Sequence, residues 1–361
     1  MILLLRDQSG AEFRLGVAHG RFDVPDSDIV HDLRHLVALG GLADCHAHLS
    51  GDDVADMIEY DGAAIEEKML HNARLQMEGG VLLLAEKGSK SSISLRILSE
   101  EESQRPRMQM AGRMIAVDGG YYPGFAAEID EANLENVIAE AVGDGATWIK
   151  LVGDWPRRGV GAIPNFSEGA LRQIVALAHG AGCKVAIHTA APETPGMAVR
   201  AGVDSIEHGL YLTLADVAEL GERGGAWVPT VVAMEAISQW LGSASSGGRV
   251  IAAGLENTAE LLPLAVEAGV AVLAGTDLAL QHGTVATEAI RLTEYGLSRK
   301  QALHSVTRAA YDYLGLEAGF SPGLPADAVF FASDPVKDLS ALLEPKLVIR
   351  AGRIVLGQLD R

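Results

Sequence analysis

Four histidines and one aspartate stand where short apolar runs of this sequence end, and they are its best candidates for chemistry. His46 and His48 close the run ALGGLADCHAHL, while His188 and His208 lie at the ends of CKVAIHTA and VDSIEH. Asp277 closes VAVLAGTD. Side chains two apart on a strand point to the same face, so His46 and His48 would face one space. Imidazole nitrogens and a carboxylate oxygen suit zinc or another divalent first-row metal.

A lysine occupies an unusual place in a further apolar run. Lys150 stands in the middle of ATWIKLVGD, which is typical of a buried strand. An unpaired ammonium is costly there, so the lysine must find a partner or lose its proton. One interpretation extends Lys150 toward Asp154 or pairs it with Asp277, which would leave a site for one metal. The residues alone leave this open.

Eight apolar runs that alternate with helical segments must position these side chains. Helix starts are indicated at Ser167, at Thr213 with a T-x-x-D capping box and at Ser298 with S-x-x-Q. Eight strand–helix units predict an α/β fold, a (β/α)8 barrel, in which functional groups gather at the carboxyl ends of the strands. A doubly wound sheet is the alternative, but its glycine fingerprint should follow the first strand, and here a glycine pair precedes it. The runs cover residues 38–49, 79–86, 107–115, 146–154, 183–190, 203–208, 226–232 and 270–277.

The two ends of the chain depart from this alternation. The stretches ILLLR and EFRLGVAHGRF near the start, with DAVFFASD and KLVIRAGRIVLG near the end, indicate strands of one small β-sandwich. We therefore predict a composite sandwich made of residues 1–40 and 321–361, and a barrel spanning residues 41–320.

Composition narrows the class of protein. The formal net charge of −19 argues against nucleic acid as a partner, because phosphate binding needs clustered Lys and Arg. No apolar run approaches the roughly twenty residues that span a bilayer, and the opening MILLL lacks the basic start of a signal peptide. Two cysteines do not form a disulfide framework. We expect a cytoplasmic protein without a membrane partner.

The pattern of these motifs resembles the amidohydrolase superfamily. GLADCHAHL is similar to its first-strand motif, an apolar run ending in Asp-x-His-x-His. IKL carries the lysine of its fourth strand, VAIHTA and SIEHG the next two histidines, and LAGTD the last-strand aspartate. TRAAYDYLGL and SPGLPADAVFFASDP resemble the tail of imidazolonepropionase-like and prolidase-like members. The resemblance extends over nearly the whole chain.

The resemblance implies a binuclear centre built on a modified lysine. Carbon dioxide would carboxylate Lys150, and the carbamate would bridge two divalent ions, expected to be zinc. A lysine in an apolar strand has a depressed pKa, which leaves a neutral amine able to attack carbon dioxide. A hydroxide between the ions would be the nucleophile, and Asp277 would take its proton. Carried over residue by residue, the first metal takes His46, His48 and Asp277, the second takes His188 and His208, and both take Lys150.

The implied activity is hydrolysis of an amide-type C–N bond in a small molecule such as a dipeptide, an N-acyl amino acid or a cyclic amide. One alternative is a mononuclear, imidazolonepropionase-like ring hydrolase with unmodified Lys150, or a lactonase. A second alternative is a non-catalytic barrel scaffold, although a degenerate member would normally lose ligands. Deamination is disfavoured because no glutamate follows His188 within a turn. A homo-oligomer is compatible with the sequence.

Substrate contacts are expected from three further places. Tyr121, in VDGGYYPG, stands where prolidase-like relatives carry GGH with a substrate-contacting histidine, and it could bind a carbonyl or simply pack. Arg157 and Arg158 follow the lysine strand and could hold an anionic group or stay solvated. His282, on the loop after the last strand, is a further candidate, with a surface position as its alternative.

Overall fold

The computed structural model describes residues 1–130, 133–157 and 160–359. None of the described helices is long and apolar enough to cross a bilayer. Three short 3-10 helices lie at Ser92–Ser99, Glu102–Gln104 and Leu339–Leu343. The strands are β1 (Ile2–Arg6), β2 (Glu12–Ala18), β3 (Arg21–Asp23), β4 (Val30–Asp32), β5 (Val37–Leu39), β6 (Leu42–Ala47), β7 (Val81–Glu86), β8 (Arg107–Met110), β9 (Ile115–Ala116), β10 (Ala127–Glu128), β11 (Trp148–Val152), β12 (Asp154–Arg157), β13 (Gly161–Pro164), β14 (Lys184–Thr189), β15 (Ser205–His208), β16 (Ala226–Val228), β17 (Ala271–Val272), β18 (Ala328–Phe331), β19 (Leu347–Arg350) and β20 (Arg353–Leu356). The α-helices are α1 (Val54–Glu59), α2 (Ala63–Glu78), α3 (Leu134–Gly143), α4 (Glu168–Gly180), α5 (Thr194–Ala201), α6 (Leu214–Glu222), α7 (Val231–Leu241), α8 (Ser246–Glu267), α9 (Val285–Glu294), α10 (Arg299–Ser305) and α11 (Arg308–Tyr313).

Parallel strands separated by helices form the central part of the molecule. One sheet has the order β6-β7-β8, and the other has the order β10-β9-β11-β14-β15-β16-β17. The two sheets are joined on both sides: Thr147 N donates to Met110 O at 2.9 Å, and Cys45 N donates to Ala274 O at 2.9 Å. Apart from the two-residue strands β9 and β10, the eight strands of these sheets follow one another in chain order, as in a (β/α)8 barrel. The predicted fold class is confirmed.

Local sequence explains why these elements form. β7 and β11 read VLLLAE and WIKLV and are buried along their whole length, as expected for parallel strands covered on both faces. The predicted helix starts are also present. Ser167 Oγ accepts the N–H of Ala170 at the start of α4, and Thr213 and Ser298 form complete capping boxes at α6 and α10. These signals alternate with the strands and fix the strand–helix succession.

Both chain ends contribute to two small sheets that share an apolar core. The first sheet has the order β3-β2-β1-β4, and the second, β20-β19-β18-β5, joins a strand near the start to three near the end. The side chains of Leu3, Leu5 and Phe22 pack with Phe330 and Ile349 between them. This is the arrangement that alternating stretches at the two ends favour. The exact boundaries of the sandwich and the barrel remain a prediction.

A buried ion pair lies within these small sheets, and its arginine also donates to the backbone of the segment that precedes β8. Arg350 is 2% exposed; its Nη1 lies 2.9 Å from Asp327 Oδ1, and its Nε donates to Arg105 O at 2.9 Å.

Asp327→Ala should therefore lower the free energy of unfolding by about 3–5 kcal/mol, since it leaves a buried guanidinium without its carboxylate. Urea unfolding would measure this. Glu344→Ala, which removes an exposed pair with Lys346, should leave the midpoint nearly unchanged; equal effects would contradict the prediction.

Candidate metal centre

Three of the expected ligands meet at the carboxyl end of β6. The backbone of Asp277 joins that of β6, because its N–H donates to His46 O at 2.6 Å. Asp277 Oδ1 lies 3.4 Å from His48 Nε2 and 3.8 Å from His46 Nε2. One ligand atom from each of the three residues lies within 4.8 Å of the others. These residues can hold a metal ion.

The other two histidines extend this cluster along the neighbouring strand ends. His208 Nε2 lies 4.0 Å from Asp277 Oδ2, and the ring centroids of His208 and His46 are 5.2 Å apart. His188, at the end of β14, places its ring centroid 4.6 Å from that of His208. Four imidazoles from β6, β14 and β15 therefore surround one space, with the Asp277 carboxylate beside them.

Lys150 comes from β11, between the strands that carry these histidines. It is 2% exposed, and its Nζ hydrogen-bonds to no described residue. Neither Asp154 nor Asp277, the alternative partners, forms an ion pair with it among the described residues. Burial lowers the pKa of Lys150 to about 8, although Glu207 opposes the shift. The side chain is thus a buried amine without a partner.

In two of the histidines, a hydrogen bond at Nδ1 leaves Nε2 facing the cluster. His48 Nδ1 donates to Gly88 O at 2.7 Å. His208 Nδ1 lies 2.6 Å from Thr230 Oγ1, and this hydroxyl donates to Pro229 O, so it accepts from His208. An N–H on Nδ1 leaves the lone pair on Nε2, where a metal would bind. Burial also lowers the pKa of His208 well below its ordinary value, which keeps the ring neutral.

The aspartate of the cluster is held as a carboxylate. Burial by itself would favour the protonated acid, but His46 and His48 hold the pKa of Asp277 well below its usual range. Its side chain is 17% exposed, so it is accessible from the mouth of the barrel. An ionised and accessible carboxylate can bind a cation or accept a proton.

Backbone conformation at the site is strained. His208, Thr230 and Asp277 have φ of 64°, 45° and 52°, in the left-handed region that β-branched residues such as Thr rarely adopt. Such conformations cost about 1–3 kcal/mol each and concentrate at functional sites. Those of His208 and Asp277 occur at the last residue of β15 and beyond the end of β17, where the two side chains approach each other.

The structure reveals two charged residues that sequence reasoning missed. Glu207 and Lys87 are 0% and 1% exposed, and Glu207 Oε2 lies 2.7 Å from His46 Nδ1. Burial would raise the pKa of Glu207, yet Lys87 and the neighbouring His46 and Lys150 hold it well below its ordinary value. A signal was present in SIEH, where an acidic residue stands inside an apolar strand.

An aromatic cluster lies beside the candidate ligands. The Tyr121 ring centroid is 4.6 Å from that of Trp155 and 5.1 Å from that of Tyr122. Trp155 in turn lies 6.3 Å from the ring of His188. Burial raises the pKa of Tyr121, and the charge of Asp277 contributes to the same shift. Tyr121 is thus both packed and close to the cluster.

The other two predicted substrate contacts are partly engaged by the scaffold. Arg157 Nη2 donates to Asn165 Oδ1 at 3.3 Å, and Arg158 lies outside the described residues. His282 is 5% exposed at its side chain; its Nε2 lies 3.1 Å from Gly51 O and its Nδ1 3.4 Å from Gln76 Nε2. His282 therefore connects its own loop to the loop at Gly51 and to α2, and a substrate role for it or Arg157 remains a prediction.

Comparison with known proteins decides the family. Residues 37–355 match the model of the amidohydrolase family. The chain belongs to this family. An uncharacterized protein of Mycobacterium tuberculosis (strain H37Rv) is 34% identical over 358 residues, which cover 94% of this chain and 91% of the relative. The protein is accordingly a hydrolase of the class that acts on carbon–nitrogen bonds, as predicted.

Solved structures of the same fold include several hydrolases. A Xaa-Pro dipeptidase with bound methionine has a TM-score of 0.83 at 24% identity, covering 99% of each chain. A prolidase complexed with N-methylphosphonate-L-proline has a TM-score of 0.81 at 20% identity, covering 99% of each chain. The ochratoxinase of A. niger has a TM-score of 0.82 at 18% identity, covering 99% of this chain and 95% of the other. At these identities the likeness concerns the fold.

Proposed function

We propose that this amidohydrolase cleaves an amide-type C–N bond with the help of two divalent metal ions. The observation that carries the proposal is the Nζ of Lys150, which is buried without a hydrogen-bond partner on β11, the strand paired with β14 and its His188. A buried polar group left without a partner is rare and costly in native structures. Ligation of cations, after carboxylation by carbon dioxide, would provide the missing partner.

The donor set fits divalent ions, zinc in particular. His46, His48 and Asp277 would hold one ion, and His188 and His208 the other. The carbamate of Lys150 would complete both sites. The engaged Nδ1 atoms of His48 and His208 support this assignment, because they leave Nε2 free to ligate. Bound divalent ions of this kind lower the pKa of water and polarise a carbonyl oxygen.

Asp277 would move the proton during hydrolysis. Its carboxylate is ionised, partly exposed and adjacent to three imidazoles, so it can accept a proton and pass it to the leaving nitrogen. Tyr121, packed against Trp155 near His188, would orient the substrate carbonyl through its hydroxyl. The ring of Trp155, which packs against Tyr121, would exclude water from the mouth of the barrel. Arg157 would attract an anionic end of the substrate.

A dipeptide or an N-acyl amino acid is the favoured substrate class. The structural neighbours named above include a dipeptidase with a bound amino acid and a prolidase with a proline phosphonate, and this supports a substrate that carries an amino-acid carboxylate. A cyclic amide or a lactone would present the same kind of carbonyl. A screen of dipeptides, N-acyl amino acids and lactones with the metal-loaded enzyme would rank these classes.

Metal stoichiometry tests the proposal directly. Protein stripped with a chelator should be inactive, and added Zn²⁺ in the presence of bicarbonate should restore activity at about two equivalents per chain. Competition with a chromophoric chelator would give the number of sites. One equivalent would favour the mononuclear ring hydrolase with unmodified Lys150. No binding by the folded protein would favour a scaffold and would contradict the proposal.

A further inference from the structure

A cluster of three polar residues, two of them charged, is buried next to the candidate ligands, where an apolar core would be expected. Lys87, Ser205 and Glu207 are each at most 1% exposed. Ser205 and Glu207 come from β15, and Lys87 is the residue that follows β7. Burying opposite charges rarely adds stability compared with apolar residues of the same size. Their placement therefore calls for a role beyond holding the barrel together.

The two oxygens of Glu207 have different partners. Oε1 accepts from Ser205 Oγ at 2.6 Å and from Lys87 Nζ at 3.1 Å. Oε2 accepts from neither Ser205 nor Lys87, and it lies 2.7 Å from His46 Nδ1. No described residue other than Glu207 offers a polar partner to this nitrogen. One oxygen is thus anchored, and the other is presented to the histidine.

Lys87 is itself fixed in place. Its Nζ lies 3.9 Å from the centroid of the Trp148 ring, and its backbone N–H donates to Ala47 O at 2.9 Å. A desolvated ammonium over an indole face is a favourable cation–π arrangement. Ala47 belongs to β6 and stands between His46 and His48. Lys87 is therefore bound to β6 through its backbone and to Glu207 through its side chain. Lys87 can therefore set the position of the carboxylate relative to His46.

We propose that Glu207 and Lys87 are positioning residues for the metal centre: Lys87 holds the Glu207 carboxylate against His46 Nδ1, so that the N–H stays on Nδ1 and the Nε2 lone pair faces the metal. The proposal rests on the proposed function, since it assigns how one ligand of that centre is oriented. A carboxylate behind a metal-binding histidine fixes both the tautomer and the ring orientation. In this chain, Glu207 would serve His46 as Gly88 O and Thr230 serve His48 and His208.

Glu207→Gln gives a sharp test because it keeps the shape of the side chain. Lys87 and Ser205 are both donors, so they would hold the amide oxygen of the glutamine and turn its NH₂ toward His46 Nδ1. That nitrogen would then have to accept, and the proton would move to Nε2, where it blocks the metal. We expect affinity for Zn²⁺ at the first site to fall by about ten- to a hundred-fold. Nitrogen-15 NMR of histidine-labelled, metal-free protein should show the His46 proton on Nδ1 in the parent and on Nε2 in the variant.

Two further variants separate positioning from a merely structural role. Ser205→Ala removes one anchor but leaves the carboxylate and Lys87, so the His46 tautomer should be unchanged and Zn²⁺ affinity nearly so. Lys87→Met should weaken Zn²⁺ binding without forcing the other tautomer, because the carboxylate still accepts from Nδ1. Thermal unfolding of the metal-free proteins would verify that each variant folds.

The outcomes distinguish this inference from the proposed function. Parent-like Zn²⁺ affinity and an unchanged tautomer in Glu207→Gln would overturn the positioning role while leaving the metal centre intact. A parent protein that binds no Zn²⁺ would overturn the proposed function instead. The tautomer measurement, made without metal, would still decide whether Glu207 sets the proton position on His46.

Discussion

Replacement of Lys150 by alanine is expected to lower kcat/KM for the best amide substrate by about a thousand-fold, since metal-assisted hydrolysis draws several kcal/mol from the bound ions. The amine of Lys150 is buried without a hydrogen-bond partner on β11, which pairs with the strand of His188, and its carbamate is the one group proposed to serve both ions. The second equivalent of Zn²⁺ should be lost together with the activity. Kinetics and metal analysis on the same sample would measure both.

Two matched variants make the Lys150 prediction specific. Lys184→Ala removes a lysine at the opposite end of the adjacent strand β14, where it lies over the Tyr313 ring, and should retain activity and both metals. Added acetate or propionate should partly restore Lys150→Ala, because a small carboxylate fits the space of the lost carbamate. Lys150→Met should give an inactive protein whose metal-free form is more stable than the parent, because a desolvated amine is removed. Full activity in either Lys150 variant would exclude a bridging role.

Asp277→Asn is expected to lower kcat by about 10²–10⁴-fold, the range over which a positioned proton-transfer group contributes. Asparagine tolerates the φ of 52° at this position, so the fold should be kept. The amide oxygen can still contact a cation, and metal content should fall less than activity. Steady-state kinetics and metal analysis would separate the two effects.

The control for this prediction is an acidic residue on the neighbouring loop. Asp52 is 57% exposed at its side chain and pairs with Lys68; its Oδ1 also lies 3.7 Å from His282 Nε2, but it forms no described ion pair with the four candidate-ligand histidines. Asp52→Asn should leave kcat almost unchanged, because exposed ion pairs contribute little. A loss of activity in Asp52→Asn as large as in Asp277→Asn, or parent-like kcat in the latter, would contradict the role given to Asp277.

The cluster of candidate ligands could be predicted from the sequence, because residues at the carboxyl ends of different barrel strands lie close together in space. A polar residue that follows an apolar strand lies at the carboxyl edge, and all such edges meet at one mouth. His46, His48 and Asp277 illustrate this: His48 and Asp277 are 229 positions apart in the chain, yet their side chains are 3.4 Å apart. Lys150 was recognisable for the complementary reason that a cation inside an apolar strand needs an explanation.

The features that escaped sequence reasoning depend on which side chains pair across the barrel. Nothing in EKG or SIEH says that Lys87 and Glu207 meet, because strands β7 and β15 are not neighbours in the sheet. His282 was placed on the correct loop, but its contacts with Gly51 and Gln76 depend on how that loop packs against the loop after β6 and against α2. The left-handed backbone conformation of Thr230 could not be predicted either, because threonine rarely adopts it and tertiary packing imposes it.

The two small sheets have a consequence for how the chain is made. Leu39 of β5 pairs with Val329 of β18, roughly 290 residues later, and the apolar faces of β1 and β2 rest on Phe330 and Ile349. At a synthesis rate of about 5–20 residues per second, the early strands wait some fifteen to sixty seconds on the ribosome before their partners emerge. During that interval their unpaired edges and apolar side chains are open to chaperones or to wrong partners. Co-translational completion of this module is therefore the step of biogenesis most exposed to failure.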